Sequence, residues 1–358
     1  MAYGGTLQCC MIEVCLFRES EKKGLGGGMN VVFIIFKRFD LTEKVFAEIA
    51  LVRPERLFVI ADGPRSEAER IACEATRKVT DKVDWPCEVR RNYSESNMGC
   101  RNRVSSGLDW VFTQVEDAII LEDDCLPDPS FFRFCTEMLE RYRDDGRVGH
   151  VGANCYSNDP ARGGGSYHFS RYAMIWGWAT WRRAWKQFDV NLSRWPVLRK
   201  GGWENDMLLT REESEYFAAW WDDLCFKNDN AWSGQWIFTC LLNNWLCIQP
   251  SVNLVSNIGF RQDGTHTLDA DRPYAGVPVC AMEFPLRHPK WLIADRQADF
   301  DFARIIFPIC RPWWKKAWWK VSNLHWYGAL LRKIPLIGTV WRIWRESRAG
   351  MGNRFFRD

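Results

Sequence analysis

Residues 30–63 read NVVFIIFKRFDLTEKVFAEIALVRPERLFVIADG, and their pattern changes period twice. The run NVVFIIF (30–36) is apolar without alternation, as a strand covered on both faces must be. Asp40 with Glu43 three residues on has capping-box spacing and opens a helix. RLFVIADG (56–63) then returns to a strand. Strand, helix and strand in this order make a βαβ unit with parallel strands.

The same alternation continues outward. A helix is predicted from about Ser66 to Val79, a strand at CEVRRNY (87–93), a helix from about Arg101 to Phe112 and a strand at AIILEDD (118–124). The helix SFFRFCTEMLERYR (130–143) and the strand VGHVGAN (148–154) follow. This order predicts an α/β fold built on a doubly wound, mostly parallel sheet. Ligands of such sheets gather at the carboxyl ends of the strands. From Asn154 to Trp185 the chain turns rich in glycine and tryptophan, and helices recur near 212–225 and 235–242.

With 358 residues, 47% of them hydrophobic, the chain can bury a sizeable core. Its net charge of +3 hides an asymmetry: Arg311–Asp358 holds eleven Lys or Arg against two acids, leaving the rest mildly acidic. Such a basic end suits phosphate-bearing surfaces. The 14 cysteines are scattered through apolar runs without a CxxC pair, which predicts a reducing, cytoplasmic setting. CCMIEVCLF (9–17) lacks the basic lead of a secretory signal, and the uncharged stretch 231–260 is too broken by polar residues to span a membrane. Residues 1–28, ending in KKGLGGG, are expected to be a disordered tail, with Met29 a candidate start.

Glu122, Asp123 and Asp124 stand together at the carboxyl end of a strand. Three clustered carboxylates repel one another, and a hard divalent cation with oxygen ligands, Mn2+ or Mg2+, relieves that repulsion. Such a cation can also bridge two phosphates. A solvated acidic turn before Pro127 and Pro129 is the competing reading. Trp176 and Trp178 flank Gly177 as either a wall for a sugar face or core packing.

ILEDDCLPDPSFFRFC (120–135) resembles the metal-binding segment of glycosyltransferase-A-fold enzymes, in particular the N-acetylglucosaminyltransferase-I-like and hemolytic-protein-like glycosyltransferases. The opening βαβ unit, NMGCRNRVSSGLDWVF (97–112), MIWGWATWRRAW (174–185) and SNIGFRQDGTHT (256–267) resemble that group in the same order. The resemblance implies a nucleotide-diphospho-sugar transferase, using a UDP sugar and inverting at the anomeric carbon. Residues 29–155 then form the nucleotide-sugar-binding half and 156–290 the acceptor-side half, followed by a C-terminal helical extension.

Carried over by position, Asp124 is the direct metal ligand, Asp123 a ribose or metal-shell contact and Glu122 a contact to the donor sugar. Arg38 sits against the nucleotide, Asp62 accepts from the base, and Arg101 approaches the diphosphate beside helical N–H groups. Trp176 and Trp178 orient the sugar, and His266 completes the metal shell or touches the diphosphate. One position departs: where relatives carry an acid before QW, this chain has Ser233. Serine cannot serve unaided as the base. Asp229 is the first candidate, with Asp206, Asp222 and Asp223 behind it.

The expected partners are a nucleotide-sugar donor and a glycan or lipid-linked acceptor. Residues 291–358 are read as a membrane-interface segment, because seven tryptophans alternate with cations beyond Arg311. That places the protein at the anionic inner face of the cell membrane. Two other classes compete: a non-catalytic nucleotide-sugar or glycan binder that has lost its base, and a nucleotidyltransferase. The latter normally needs a glycine-rich loop after the first strand, where this chain has KRFDLTEK (37–44). Nucleic acid is not expected, since the basic end carries no recognised motif.

Overall fold

The computed structural model describes residues 28–156, 164–227, 229–261 and 272–307. The first half alternates strand and helix: β1 (Asn30–Ile35), α1 (Phe39–Val52), β2 (Arg56–Ala61), α2 (Glu67–Val79), β3 (Glu88–Tyr93), α3 (Cys100–Phe112) and β4 (Asp117–Glu122). Next come β5 (Cys125–Pro127), α4 (Ser130–Arg141), β6 (Val148–Gly152), β7 (Tyr167–Ser170) and β8 (Trp178–Trp181). A helical stretch holds α5 (Arg182–Trp185), α6 (Trp195–Gly201), α7 (Glu204–Met207), α8 (Arg211–Phe226) and α9 (Ser233–Leu242). β9 (Leu246–Pro250), β10 (Val255–Asn257) and α10 (Arg296–Ile306) complete the described elements.

Eight strands form one sheet in the order β3-β2-β1-β4-β8-β6-β9-β7. β1, β2, β3 and β4 are mutually parallel, while β8 and β7 run against their neighbours. The sheet is therefore doubly wound and mostly parallel, as the alternating sequence requires. β1 is buried at every position. Its odd residues Val31, Phe33 and Ile35 meet a core shared with Phe46 of α1 and with Phe131 and Met138 of α4. The opposite face of the sheet is covered by α3: Ile60 lies under Gly107, and the Phe58 ring meets Trp110 edge-on at 5.6 Å. This two-sided burial is why β1 shows no polar alternation.

Helix ends differ from expectation in one place. No capping box forms at α1; Arg38 is its N-cap and makes no side-chain cap. Glu43 pairs with Lys82 across 2.6 Å and Asp40 with Arg261, so both acids serve long-range contacts. A capping box does form at α8, between Thr210 and Glu213.

The segment read as starting at 291 begins inside the folded unit. The Asp295 amide donates to the Phe169 carbonyl at 2.7 Å, and the Ser170 hydroxyl donates to buried Asp299. Phe302 stacks on Tyr172, and Phe307 packs edge-on against Phe217 with centroids 4.7 Å apart. The tail up to residue 27 and the basic, tryptophan-rich stretch from 308 onward lie outside the described residues. Among the described residues no helix is long and apolar enough to cross a membrane.

Candidate active site

The sheet order reverses between β1 and β4. From β1 the chain winds outward through β2 to β3, and β4 then returns to the other side of β1. A crevice opens at the carboxyl ends of two such strands. Into it β1 delivers Arg38, and β4 delivers Glu122, Asp123 and Asp124. The Arg38 guanidinium donates to Asp123 and, at 3.0 Å, to Asp124 Oδ2. Burial opposes its charge, but the two carboxylates outweigh that and hold its pKa above the usual value.

One guanidinium facing three carboxylates leaves a negative excess. Burial, then the like charges of Asp124 and Asp123, push the Glu122 carboxyl up. Burial does the same to Asp123, against the pull of Arg38. Asp123 Oδ2 is buried without a hydrogen-bond partner. An orphaned carboxylate oxygen in an acidic cluster is costly unless a cation joins it.

The small antiparallel pair of β5 with β10 lays the 256–260 loop against this cluster, setting Asn257 opposite Cys125. The Ile258 amide donates to the Asp124 carbonyl at 2.8 Å. At Gly259 a Cβ would stand 2.3 Å from Asp124 Oδ2, so only glycine fits. Two sequence segments more than a hundred residues apart thus converge on one carboxylate. His266 lies outside the described residues.

Trp176 and Trp178 part company. Trp176 is half-buried, packed edge-on to Phe260 at 5.7 Å, and lines the cavity described below. Gly177 between them has φ +71° and would drive a Cβ into Val255. Trp178 is fully buried, stacked on His150 at 5.4 Å and on Trp232 at 5.6 Å. It packs the core and offers no face to the cavity; the left-handed turn at Gly177, just before β8 begins, breaks the strand register between the two rings.

Asp62 corrects another expectation. Its carboxylate accepts from the amides of Gly63 (2.8 Å), Met98 (2.9 Å) and Gly99 (3.1 Å) and from Asn97 Nδ2 (3.0 Å). A carboxylate has about four acceptor sites, and these donors take them all, so none is left for a base N–H. The residue ties the 97–99 loop to β2 and caps the entry of α3. The Arg101 amide donates to the Asn230 carbonyl at 3.1 Å, so that helical N–H is not aimed at a diphosphate either. The Arg101 side chain reaches the Asp229 carbonyl at 3.4 Å and joins the two expected residues through the backbone.

Two adjoining cavities share Arg38, Cys100 and Glu122. One, of about 130 Å³, is lined by Asp62, Asp123 and the cations Lys37, Arg65 and Arg103. The other, of about 340 Å³, contains Asp124, Trp176, Asp229 and Ser233. Asp229 is exposed at its wall, whereas Asp206, Asp222 and Asp223 do not line it. Asp222 instead accepts from Trp195 Nε1 at 2.9 Å, and Asp223 pairs with Lys227 at 2.6 Å. Cys100 and the cations of the smaller cavity were not singled out from the sequence. Their signal was weak, because a lone cysteine or surface-like arginine has no motif.

Among the described residues no three acidic, histidine or cysteine side chains converge as a metal cage. The donor set still fits a hard cation that takes one or two carboxylates and completes its shell with phosphate and water. Asp124 and the unpartnered oxygen of Asp123 are the oxygens available for it.

Comparison with protein-family models and with curated proteins finds no match. Among solved structures the chain is similar to a mannosyltransferase from Pyrobaculum calidifontis in complex with GDP-Man and Mn2+, at 13% identity and TM-score 0.33. That match covers 52% of this chain and 58% of the other. It is also similar to S. aureus TarS 1–349, at 10% identity and TM-score 0.34, covering 62% of this chain and 58% of that one. A third is 4-diphosphocytidyl-2C-methyl-D-erythritol synthase from Anaerococcus prevotii, at 10% identity and TM-score 0.28, covering 60% and 97%. The chain spans under two thirds of the length of the first two. Likenesses of this size assign no activity.

Proposed function

We propose that the chain is a metal-dependent glycosyltransferase of glycosyltransferase-A type. It moves a sugar from a nucleotide diphosphate, taken as UDP, to an acceptor hydroxyl with inversion. The observation that carries this reading is the meeting of Arg38 with Asp123 and Asp124 at the β1/β4 switch point, beside a cavity that also holds Glu122, Trp176 and Asp229. Mn2+ or Mg2+ bound by Asp124 and Asp123 would supply positive charge for the departing diphosphate. Lys37, Arg65 and Arg103 line the smaller cavity beside the acidic cluster, and support phosphates as its guests. Glu122 holds the donor sugar, a reading supported by its lining both cavities. Trp176 gives that sugar a flat wall. Asp229 takes the proton from the acceptor hydroxyl. The protein works at the inner face of a membrane, held there by its basic, tryptophan-rich end.

A nucleotidyltransferase is disfavoured, because the turn after β1 is FKRF (36–39), with Arg38 committed to carboxylates in place of a glycine-rich phosphate loop. Ser233 favours one second reading, a sugar-nucleotide binder without turnover, since it lines the cavity where an acid is expected. Labelled nucleotide sugars with Mn2+ and a panel of hydroxyl acceptors separate the two. Transfer to an acceptor is expected, and Asp229→Asn should lower turnover by roughly a hundredfold with donor affinity unchanged. Tight donor binding without any product would favour the binder. A wild-type rate in the variant would remove Asp229 as base.

A further inference from the structure

The larger cavity is divided by polarity along its elements. Its charged residues Arg38, Glu122 and Asp124 come from the ends of β1 and β4, with Asp229 in the loop before α9. The helices contribute an apolar wall instead: Trp220 of α8, Ile237 of α9, and Ile306 and Phe307 at the end of α10, joined by Met174. One helix spans the change. Ser233 and Ile237 are four residues apart on α9, so they share a face, and both line the cavity. A hydroxyl and an isoleucine therefore line the cavity one helical turn apart, the hydroxyl on the turn next in sequence to Asp229.

This wall is built rather than loose. Phe307 is held by Phe217 at 4.7 Å and by Tyr172 at 5.6 Å, and Trp220 stands 6.0 Å from Phe217. Ile237, Met174 and Phe307 are buried against the protein and offer no polar side-chain atom to the cavity. A glycan carries hydroxyls on every ring. Against this wall they would lose water without gaining partners, which selects strongly against them. Trp220 by itself suits a sugar face, but its aliphatic neighbours do not. A hydrocarbon chain loses nothing there and gains about fourfold in affinity for each methylene buried.

We infer that the acceptor is an amphiphile whose hydroxyl-bearing head lies at Asp229 and Ser233 and whose hydrocarbon chain lies along Trp220, Ile237, Ile306 and Phe307. The inference rests on the transferase reading for the word acceptor, and on the cavity alone for the chain. The occupant is a hydrocarbon because the apolar wall is continuous with the charged end of the same cavity. A ligand filling both must change polarity along its length.

The test is calorimetric titration of the full chain with hexyl, octyl and decyl β-glucosides below their micelle concentrations, beside glucose and maltotriose. A second arm titrates UDP, GDP and dTDP sugars with Mn2+. Affinity should rise by about three- to fourfold per methylene, while glucose and maltotriose show no binding. Ile306→Glu and Trp220→Ser, both at half-buried positions, should each weaken decyl glucoside at least tenfold. The nucleotide-sugar arm should not change, which also reports that the variants are folded. Maltotriose binding as tightly as decyl glucoside, no dependence on chain length, or indifference to Ile306→Glu would overturn the inference. So would absence of alkyl binding, whether a second copy or the chain's own residues cover the wall. Nucleotide binding without alkyl binding defeats only this inference. Alkyl binding without nucleotide binding defeats the transferase reading and the acceptor role with it.

Discussion

His150 shows how much a single buried side chain can impose. It is fully enclosed in β6, bonded through Nε2 to the Met174 carbonyl at 2.8 Å, while Nδ1 accepts from Trp236 Nε1 at 3.1 Å. Those partners require a neutral ring protonated at Nε2. Burial pushes its pKa down to about 3, against the pull of the Met174 carbonyl. Its contribution to stability is thus complete above the unfolded value near 6.5 and is lost as pH falls toward 3. Urea unfolding at pH 7, 6 and 5 should show wild type losing about 0.7 kcal/mol more than His150→Phe in the first step and about 1.2 kcal/mol more in the second. At neutral pH the variant should be weaker by about 1–3 kcal/mol, because Trp236 Nε1 loses its acceptor. Equal acid slopes in the two proteins would contradict this account. Trp178, stacked on the same imidazole, illustrates what the sequence conceals at this scale. The motif WGW (176–178) names two identical rings, and only the turn at Gly177, with φ +71°, separates a cavity wall from a core residue.

At the scale of elements, Asp62 works as a clamp between β2 and the entry to α3. Four donors converge on its carboxylate, three of them backbone amides. Asp62→Asn turns an NH2 toward such donors and should cost about 2–4 kcal/mol of stability. Nucleotide affinity should fall only in step with the disturbed loop. A variant of unchanged melting temperature with selectively lost uridine-nucleotide binding would restore Asp62 to a base-recognition role. The βαβ order, the parallel pairing and the carboxyl-end crevice were legible because apolar runs and helical periods are local signals. The clamp was not, since Asn97, Met98 and Gly99 meet Asp62 only through the sheet. The fit of Gly259 against Asp124 was hidden for the same reason. Its loop was recognisable as a motif, but the reason for glycine is a close approach to a residue 135 positions earlier.

For the whole molecule, the eight-stranded sheet gathers Arg38, Glu122, Asp123, Asp124, Trp176 and Asp229 from scattered stretches to one edge. Trp178 is left in the core, and Asp62 serves as scaffold. The basic end from Arg311 onward carries seven tryptophans. Its charge of +9 should give salt-sensitive association with anionic vesicles, at about 1 kcal/mol for each engaged cation. Sedimentation with vesicles of mixed zwitterionic and anionic lipid should carry the protein down at low salt and release it at high salt. Equal binding to purely zwitterionic vesicles, or none at low salt, would remove the membrane from the proposal.

The central claim is that the β1/β4 crevice binds a nucleotide diphosphate sugar through a divalent cation. Calorimetric titration of nucleotide sugars into the wild-type chain, Asp124→Ala and Gly259→Ala, each with and without Mn2+, tests it most directly. At least one nucleotide sugar should bind the wild type, and removing Mn2+ should weaken it tenfold or more. Asp124→Ala should abolish that dependence. Gly259→Ala should reduce it, because its new methyl displaces the Asp124 carboxylate. Binding of equal strength in all three proteins, or binding indifferent to Mn2+, would contradict the account.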